Sequence, residues 1–416
     1  MMLQKWLYTL GLGGYRTVLK LAAPLHPKAK KMLEGRQQLP ERIRTAMLGN
    51  TAPVVWFHCA SLGEFEQGRP VMEALRREFP EYKIFLTFFS PSGYEIRKDY
   101  NGADWIFYLP LDSAGNASQL LEAVNPSLAV FVKYEFWYYY LQELHKRNTP
   151  TLLISAIFRS NQLFFRPHGS FYRQMLDYFS QLFVQNEESA RLLKEIGVQH
   201  VSIAGDTRFD RVLTISRQAK AVPLAKAFAA DKPVMVVGSS WPADIEVLAP
   251  LVQQYRGRVK FIIAPHEMGE SGLQHTEKMF AATTVRYTNT TPAEAATAEV
   301  LLIDTIGLLS SLYALGTWAY VGGSFGKGLH NTLEAAVWGI PVFFGNRNYL
   351  KFAEARELID VEAAYAIADS AELLAIFGVL FDNEQKRKAA GEAAARYVAA
   401  QAGATEKIIQ YCKSIL

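Results

Sequence analysis

The sequence predicts an α/β protein with two doubly wound domains that face a central cleft. Short apolar runs alternate with helical patterns along most of the chain, and a polar interval at residues 216–232 divides them into two sets. The 416 residues also exceed what one hydrophobic core usually serves. Because parallel strands need helical crossovers that cover both faces of a sheet, each set predicts one parallel sheet.

The strand candidates are short apolar runs bounded by polar or glycine-containing segments. The first set contains Val54–Cys59, Ile84–Thr87, Trp105–Tyr108, Leu128–Val132, Thr151–Ser155, Leu182–Val184 and Val201–Ala204. The second set contains Val234–Val237, Lys260–Ile263, Val300–Ile303, Thr317–Val321 and Pro341–Phe344. Helical patterns between them include Arg69–Glu78, Glu187–Ile196 and Asp244–Tyr255.

These sets give the expected domain organisation. We expect an N-terminal segment over residues 1–44, a first domain over 45–215 and a second over 231–382. A last helix over residues 383–416 can return across the cleft to the first domain. Ligands of doubly wound domains bind at the carboxyl ends of the strands, so the cleft is the expected site.

The N-terminal segment is set apart by its charge. Residues 1–44 hold nine basic and two acidic residues, whereas the whole chain has a net charge of only +4. Trp6 and several leucines lie among these charges at helical spacing, and no uncharged run approaches the about 20 residues of a membrane span. Two interpretations stay open: a segment lying on an anionic membrane surface, or a helix packed on its own domain. Nucleic acid is disfavoured, since the remaining chain has no basic stripe with interleaved aromatic residues.

The sequence lacks the motifs of disulfide-linked, metal-binding and serine-nucleophile proteins. The two cysteines, Cys59 and Cys412, cannot form a disulfide framework and suit a reducing compartment. No histidine or carboxylate cluster has metal-ligand spacing, and no Gly-x-Ser-x-Gly elbow is present. We therefore expect no metal and no cofactor. Binding, orientation and one general base remain.

The most informative stretch is GTWAYVGGSFGKGLHNTLEAAVWGIPVFFG, residues 316–345. It predicts a strand, a glycine-rich loop containing Ser324, a helix over Thr332–Trp338 and a second strand. A helix beginning at Asn331 would direct free N–H groups and a positive dipole end at an anion. The spacing matches neither the dinucleotide fingerprint nor a Walker loop, and an ordinary tight βα connection is the alternative.

Polar residues follow the strands of the first set. Glu64 lies just after Val54–Cys59, where a carboxylate can take a proton from an incoming hydroxyl, or simply favour the first turn of a helix. His58 lies within that apolar strand and is predicted to be a hydrogen-bonded core histidine. Glu135 can orient a substrate or cap a helix. Arg208 can neutralise a phosphate or carboxylate, or form an Arg–Asp pair.

Polar residues also follow the strands of the second set. These segments are Gly238–Pro242, Ala264–Glu267 and Asp304–Gly307. Each is a weak signal alone, but their recurrence at successive strand ends indicates a cleft.

The order of these motifs resembles the Kdo (3-deoxy-D-manno-octulosonic acid) transferases of Gram-negative lipopolysaccharide synthesis. The resemblance is carried by VWFHCASLGEFEQGRPVMEAL, KYEFW, NEESARLLKEIGV, AGDTRFD, GSSW, APHE, DTIG and the glycine-rich stretch. It implies a GT-B fold, in which an acceptor-binding and a donor-binding Rossmann-like domain face each other. It also implies that the N-terminal segment holds the enzyme on the cytoplasmic face of the cell inner membrane.

The resemblance further implies roles for residues. Glu64 would be the base that deprotonates a lipid A precursor (lipid IVA type) for inverting attack on CMP-Kdo, without a metal, while Glu135 and Arg208 assist the transition state. Contacts with CMP-Kdo would come from Pro265, His266, Thr305, Ile306, Gly307, Ser324, Asn331, Thr332, Leu333 and Glu334. Two alternatives remain: a nucleotide-sugar epimerase of GT-B type, and a nucleotide-sugar binding protein without catalysis.

Overall fold

The chain folds into two compact units. The computed structural model describes residues 2–280 and 283–416. One unit comprises Met1–Arg211 and Ala402–Leu416, and the other comprises Val212–Gln401. The second unit is therefore an insertion between the body of the first unit and its final helix. Within the described residues, each unit has one parallel sheet of seven strands.

The first sheet has strand order β3-β2-β1-β4-β5-β6-β7. Its strands are β1 (Val54–Cys59), β2 (Lys83–Phe88), β3 (Trp105–Tyr108), β4 (Leu128–Val132), β5 (Thr151–Ala156), β6 (Gln181–Val184) and β7 (Val201–Ile203). All six residues of β1 are buried, and Val54 and Trp56 join one core cluster while Val55 and Phe57 join another. Burial on both faces explains why β1 is an uninterrupted apolar run.

The second sheet has strand order β10-β11-β9-β8-β12-β13-β14. Its strands are β8 (Val234–Ser240), β9 (Lys260–Pro265), β10 (Thr284–Arg286), β11 (Val300–Leu302), β12 (Trp318–Val321), β13 (Val342–Gly345) and β14 (Ala364–Ile367). The predicted strands are present with ends shifted by a few residues. The sequence did not indicate β10 and β14, which are the two edge strands of this sheet.

Helices join the strands and cover the sheets. In the first unit they are α1 (Met2–Ala22), α2 (Pro27–Glu34), α3 (Leu39–Met47), α4 (Leu62–Glu78), α5 (Pro91–Arg97), α6 (Ala114–Val124), α7 (Tyr138–Lys146), α8 (Ser170–Leu176), α9 (Glu187–Glu195) and α10 (Thr207–Arg217), which continues into the second unit. Those that follow are α11 (Pro223–Ala229), α12 (Pro242–Gln254), α13 (Glu270–Phe280), α14 (Pro292–Thr297), α15 (Leu309–Leu312), α16 (Leu333–Ala336), α17 (Ala353–Asp360), α18 (Ser370–Asp382), α19 (Glu384–Gln401) and α20 (Ala404–Ile415).

Both sheets contain a topological switch point. In the first sheet the chain runs outward from β1 through β2 to β3, then returns to β4 on the other side of β1. In the second sheet β9 and β12 likewise flank β8 on opposite sides. A crevice outside the carboxyl ends of the strands forms at such a point, and ligands of doubly wound sheets bind there.

The C-terminal region consists of two helices rather than the single predicted helix. α19 belongs to the second unit, and α20 belongs to the first. Ile408, Ile409 and Cys412 of α20 are buried in the same core cluster as Val55. The break falls at Gly403, whose φ of +108° is accessible to glycine at low cost.

The N-terminal helix α1 has two different faces. One face packs on its own unit, where the Tyr8 hydroxyl donates to Asp112 over 2.6 Å and Leu19 is buried. The other face exposes Leu3, Trp6, Leu7, Leu10, Val18 and Leu21. Among the described residues, no helix has the length and apolar character needed to cross a membrane.

Candidate active site

Glu64 lies in the first turn of α4, directly after β1. Ser61 caps this helix by accepting a hydrogen bond from the Gly63 backbone N–H at 3.3 Å, and its hydroxyl donates to the Glu64 carboxylate. The side chain of Glu64 is half-buried. The cap and the hydrogen bond hold a carboxylate at the switch point of the first sheet, where a general base can meet a substrate hydroxyl.

Glu135 is buried and hydrogen-bonded to a side chain of the neighbouring strand β1 and to one from its own loop. Its Oε2 lies 3.0 Å from Nε2 of His58 and accepts a hydrogen bond from the Trp137 indole at 2.6 Å. Nδ1 of His58 lies 2.9 Å from the hydroxyl of Thr87, with which it pairs in register across β1 and β2. His58 is thus hydrogen-bonded in the core, as its position within an apolar strand predicts, and it also orients Glu135.

Cys59 is the last residue of β1 and is fully buried. Burial raises the pKa of the Cys59 thiol well above its ordinary value, and the negative charges of Glu64, Glu135 and Glu66 raise it further. Glu64 follows β1 and Glu135 follows the adjacent strand β4, so both predicted catalytic glutamates lie at the carboxyl edge of the first sheet.

Arg208 begins α10 and forms an ion pair with Asp206. Its Nη2 and Nε lie 2.7 and 2.8 Å from Oδ2 of Asp206. Burial alone would raise the pKa of Asp206, but the charge of Arg208 and its hydrogen bonds outweigh that effect and lower it. Gln67 of α4 donates to the same carboxylate at 3.3 Å, which connects Arg208 to the helix that carries Glu64.

Three aromatic rings stack beside the carboxyl ends of β8 and β9. The ring of His266 lies 4.8 Å from that of Trp241 and 4.4 Å from that of His330, between centroids. The indole N–H of Trp241 donates to Nε2 of His330 at 3.1 Å. Burial, and next the neighbouring His266, lower the pKa of His330 to about 4. A neutral His330 is the form that accepts this hydrogen bond.

The glycine-rich loop after β12 packs tightly against the start of α12. A Cβ on Gly322 would lie 2.5 Å from the carbonyl oxygen of Ser239 and 2.7 Å from Oδ2 of Asp244. Gly323 has a φ of +95°, and its N–H donates to Asp244 over 2.9 Å. Asp244 also accepts from the Tyr320 hydroxyl at 2.8 Å, so this buried carboxyl fixes the loop from two sides.

The helix after this loop is shorter than predicted. Only Leu333–Ala336 is α-helical, and 3₁₀-type hydrogen bonds carry the chain to Gly339, whose φ is +68°. Asn331 accepts from the Leu333 N–H at 3.2 Å and donates to Glu334 at 3.1 Å. The Asn331 side chain therefore satisfies one of the N–H groups that we expected to meet an anion.

The remaining donor-site candidates lie at the same edge of the second sheet. Ser324 is fully buried, and its hydroxyl accepts from the Asn348 N–H at 3.4 Å. Thr332 is buried as well, and its hydroxyl has no hydrogen-bond partner within residues 2–280 and 283–416. Pro265 ends β9, and Thr305 follows β11. Ile306 is 83% exposed, and Gly307 has a φ of +89°.

Sequence reasoning missed several members of these clusters. Thr87 and Asp244 each hold a candidate site residue or loop in place, and Trp241 and His330 complete the stack with His266. The partners of these four residues lie far away along the chain, so no local spacing indicates the pairs. Asp206 differs, because it is only two residues from Arg208 and forms the Arg–Asp pair that the sequence offered as an alternative. In the part of the chain that the structure describes, no group of three or more His, Cys, Asp or Glu side chains is placed to hold a metal ion.

Comparison with known proteins shows what the chain is similar to. A family model described as 3-deoxy-D-manno-octulosonic-acid transferase (kdotransferase) matches residues 37–211, which include β1 to β7 and both candidate glutamates. Curated 3-deoxy-D-manno-octulosonic acid transferases match across both units. The relative from Haemophilus influenzae is 24% identical over 399 residues, covering 92% of this chain and 92% of its own. The chain is thus similar to Kdo transferases along most of its length.

Further relatives in the family show similar coverage. The Aquifex aeolicus 3-deoxy-D-manno-octulosonic acid transferase is 27% identical, with 79% of this chain and 86% of its own covered. The Chlamydophila psittaci protein of the same name is 26% identical, with 82% and 80% covered. These relatives are named transferases of Kdo, and the similarity to them runs along most of this chain.

Solved structures support the fold independently of the family. UDP-GlcNAc 2-epimerase from Neisseria meningitidis matches with a TM-score of 0.62 at 14% identity, covering 87% of this chain and all of that one. MurG from Acinetobacter baumannii matches with a TM-score of 0.57 at 14% identity, covering 87% and 99%. These likenesses and the two parallel sheets confirm the predicted GT-B fold class. At such low identity they show the fold alone.

Proposed function

We propose that this protein transfers Kdo from CMP-Kdo to a lipid A precursor at the cytoplasmic face of the inner membrane, with inversion at the anomeric carbon. The observation that carries this proposal is the position of Glu64, in a helix capped by Ser61 at the switch point of a sheet that matches the kdotransferase family model. The named relatives transfer Kdo, which supports the transferred group. The CMP-linked donor and the lipid acceptor are the finer part of the proposal.

Glu64 is the proposed general base. Its carboxylate takes the proton of a sugar hydroxyl on the acceptor, and the oxygen attacks the anomeric carbon of Kdo. The bond from that carbon to the phosphate oxygen breaks, and CMP leaves with the electron pair. General-base assistance of this kind contributes about 10²–10⁴-fold to a rate. The half-buried position of Glu64 leaves its carboxylate open to the acceptor while Ser61 fixes its direction.

Glu135 and Arg208 are proposed to act beside Glu64. The Glu135 carboxylate, oriented by His58 and Trp137, places negative charge near the positive charge that develops on the sugar ring. The Arg208 guanidinium, directed by Asp206, supplies positive charge for the departing phosphate. Charged groups held rigidly in a partly buried site stabilise a transition state more strongly than they would in water.

The second unit is the proposed donor site. The Gly322–Gly323 turn brings backbone close to a ligand, and the buried Thr332 hydroxyl is available for a hydrogen bond. Asn331 and Glu334 follow the loop and could contact the CMP ribose or phosphate. The stacked rings of Trp241, His266 and His330 offer a flat aromatic surface for the base. We predict that Pro265, Thr305, Ile306, Gly307, Ser324 and Leu333 border the same pocket.

The exposed face of α1 is the proposed contact with the membrane. Its apolar residues lie on one side of the helix, while Arg16 and Lys20 supply positive charge. A helix of this kind lies in the interface of an anionic bilayer. Such a surface suits an enzyme whose acceptor is a lipid. A soluble nucleotide-sugar epimerase gives no reason for it, so that alternative is not favoured.

The test is transfer of labelled Kdo from CMP-Kdo to a purified lipid A precursor. We expect Glu64→Gln to lower the rate by about 10²-fold or more, because the amide cannot accept the proton. Glu78→Gln is the matched control: the same change at the far end of α4, where Glu78 pairs with Lys413 on the surface, and it should keep the wild-type rate. Retention of more than about a tenth of the rate by Glu64→Gln would exclude Glu64 as the base.

The same assay separates the alternative functions. Isomerised sugar instead of lipid product would support the epimerase, and donor binding without turnover would support a binding protein.

A further inference from the structure

A cavity of about 680 Å³ lies between α1, the turn from α2 to α3 and the loop after β3. Neither Glu64 nor Glu135 lines it, and the proposed reaction does not use it. The residues of α1 that line it are Thr9, Leu12, Gly13, Arg16 and Lys20. These positions form one stripe of the helix, which lies beside the exposed apolar stripe of Leu10, Val18 and Leu21.

Three cations line this cavity. Arg16 and Lys20 enter from α1, and Arg36 enters from the turn after α2. The guanidinium of Arg36 donates to the carbonyl oxygens of Leu109, Phe89 and Met32 at 2.8, 2.7 and 3.1 Å. Within residues 2–280 and 283–416, no carboxylate lies at ion-pair distance from any of the three cations. Burial lowers the pKa of Arg36 to about 10, so it remains charged at neutral pH.

Asp112 is the acidic group that faces the cavity. Its carboxyl accepts hydrogen bonds from the Tyr8 hydroxyl at 2.6 Å and from the backbone N–H groups of Tyr139 and Tyr140 at 3.0 and 3.1 Å. The Asp112 carboxyl therefore accepts three hydrogen bonds from other groups, and it forms no ion pair with Arg16, Lys20 or Arg36. Arg36 is partly buried and already donates to carbonyl oxygens, whereas Arg16 and Lys20 are exposed at the cavity. Three cations around one cavity, with no carboxylate partner among the described residues, create a positive potential that favours an anion there.

The rest of the cavity wall is mixed. Leu12, Leu33, Leu39 and Pro40 form an apolar part together with the aliphatic part of Lys20, and the neutral polar lining residues are Thr9, Gln37, Gln38, Ser113 and Asn116. A ligand that fits both parts of the wall carries an anionic group next to an apolar one. Because the cavity adjoins the exposed apolar stripe of α1, its ligand can keep its acyl chains in the bilayer that the stripe contacts.

We infer that this cavity binds the phosphate head group of an anionic membrane phospholipid while α1 lies on the bilayer. The inference rests on the proposed membrane association and adds a discrete site to it. Diffuse attraction between basic residues and an anionic surface needs no cavity, whereas a head-group site does. The two can therefore be separated by filling the cavity without changing any charge.

Gly13 allows that experiment. It lines the cavity, and a Cβ added to it would meet no atom within 4 Å. Gly13→Leu thus adds a side chain to open space in the cavity. Gly11→Leu is the matched control, because Gly11 is on the same helix, also has nothing within 4 Å, and does not line the cavity. Both changes replace a helical glycine with a good helix former, so neither should impair folding.

The measurement is cosedimentation of the full chain with phosphatidylcholine vesicles, with and without phosphatidylglycerol. We expect wild type and Gly11→Leu to bind vesicles with phosphatidylglycerol at least about fivefold more tightly than vesicles of phosphatidylcholine alone. This is the effect of roughly one charged contact. Gly13→Leu should lose most of this preference while it keeps the same thermal midpoint. Lys20→Gln, an exposed change, should weaken the preference independently.

Three results would overturn the inference. The first is an unchanged phosphatidylglycerol preference in Gly13→Leu, which would leave only diffuse attraction. The second is a preference for vesicles with the lipid A precursor and none for phosphatidylglycerol, which would make the cavity part of the acceptor site. The third is an equal rise in the thermal midpoint of wild type and Gly13→Leu on addition of inorganic phosphate, together with no preference of wild type for phosphatidylglycerol vesicles. None of these measurements uses Kdo transfer, so failure of the proposed function would be seen separately.

Discussion

Nε2 of His58 lies 3.0 Å from Oε2 of Glu135, and both side chains are buried at the carboxyl ends of adjacent strands. The pair joins β1, which leads to Glu64, to the segment after β4. The Trp137 indole donates to the same oxygen, so Glu135 has two polar neighbours and a fixed direction. A buried carboxylate held this way can serve a reaction without reorganising during it.

We predict different effects for two substitutions of Glu135. Glu135→Gln keeps an acceptor for Trp137 and should change the unfolding free energy by no more than about 1 kcal/mol, but it should lower transfer by about tenfold or more because the charge is lost. Glu135→Ala leaves His58 and Trp137 without their acceptor and should cost about 1–3 kcal/mol. Urea unfolding and the transfer assay measure the two effects. Full activity in Glu135→Gln would assign Glu135 a purely structural role.

Gly322→Ala should destabilise the second unit. The new Cβ would lie 2.5 Å from the Ser239 carbonyl oxygen, and relief would require backbone movement at β8. We expect a cost of about 2 kcal/mol or more and weaker donor binding, because overpacking forces the loop to shift. Gly326→Ala, in the same loop with no atom within 4 Å of its Cβ, should be nearly neutral. Equal thermal midpoints for the two variants would contradict this packing.

His330 should make the second unit acid-sensitive. Its pKa of about 4 lies below the ordinary value of about 6.5, so the unfolded chain takes up a proton between these values and the folded chain does not. Stability should therefore fall as the pH falls from about 6.5 to about 4 and lose nothing further from this group below that. His330→Gln should reduce the loss relative to wild type, whereas the exposed His275→Gln should not. An NMR titration that places the His330 pKa near 6.5 would refute the prediction.

The apolar face of α1 should determine binding to neutral as well as anionic vesicles. Trp6→Gln and Leu10→Gln should each weaken vesicle binding by about tenfold, because a large apolar side chain gains about 1.5–3 kcal/mol on full burial. Leu48→Gln removes a leucine that is 74% exposed but lies outside α1, and it should have no effect. Comparable losses from all three variants would mean that the contact is not made by this face.

The fold was predictable where strands are buried on both sides. β1 and β4 are fully buried, so each is a continuous apolar run in the sequence. β10 and β14 were missed because both are short edge strands without a buried apolar run: Thr284–Arg286 is only partly buried, and Ala364–Ile367 has two half-buried positions. The edge strand β3 was found all the same, because its sequence WIFY is an apolar run.

The candidate site was predictable in its positions but not in its contacts. The strand-end rule located Glu64, Glu135 and Arg208, because carboxyl ends of parallel strands share one edge. Spacing could not show that His58 would hold Glu135, since 77 residues separate them. The spacing of α1 likewise indicated an apolar face but not which residues pack inward, since that depends on Tyr8 reaching Asp112. That Glu64 and Asn331 face each other across a cleft stays a prediction.

Asp210 has a consequence for how the protein is made. Its carboxylate accepts hydrogen bonds from the backbone N–H groups of Gly403 and Thr405 at 2.6 and 2.7 Å. Asp210 thus joins α10, where the chain leaves the first unit, to the start of α20, where the chain returns to it. The sheet of the first unit is synthesised before the second unit, whereas α20, which completes the core of that sheet, is synthesised after it. Until α20 has been synthesised, the surface that it covers stays exposed or is bound by a chaperone. A stop codon within α20 would therefore destabilise the unit that was translated first.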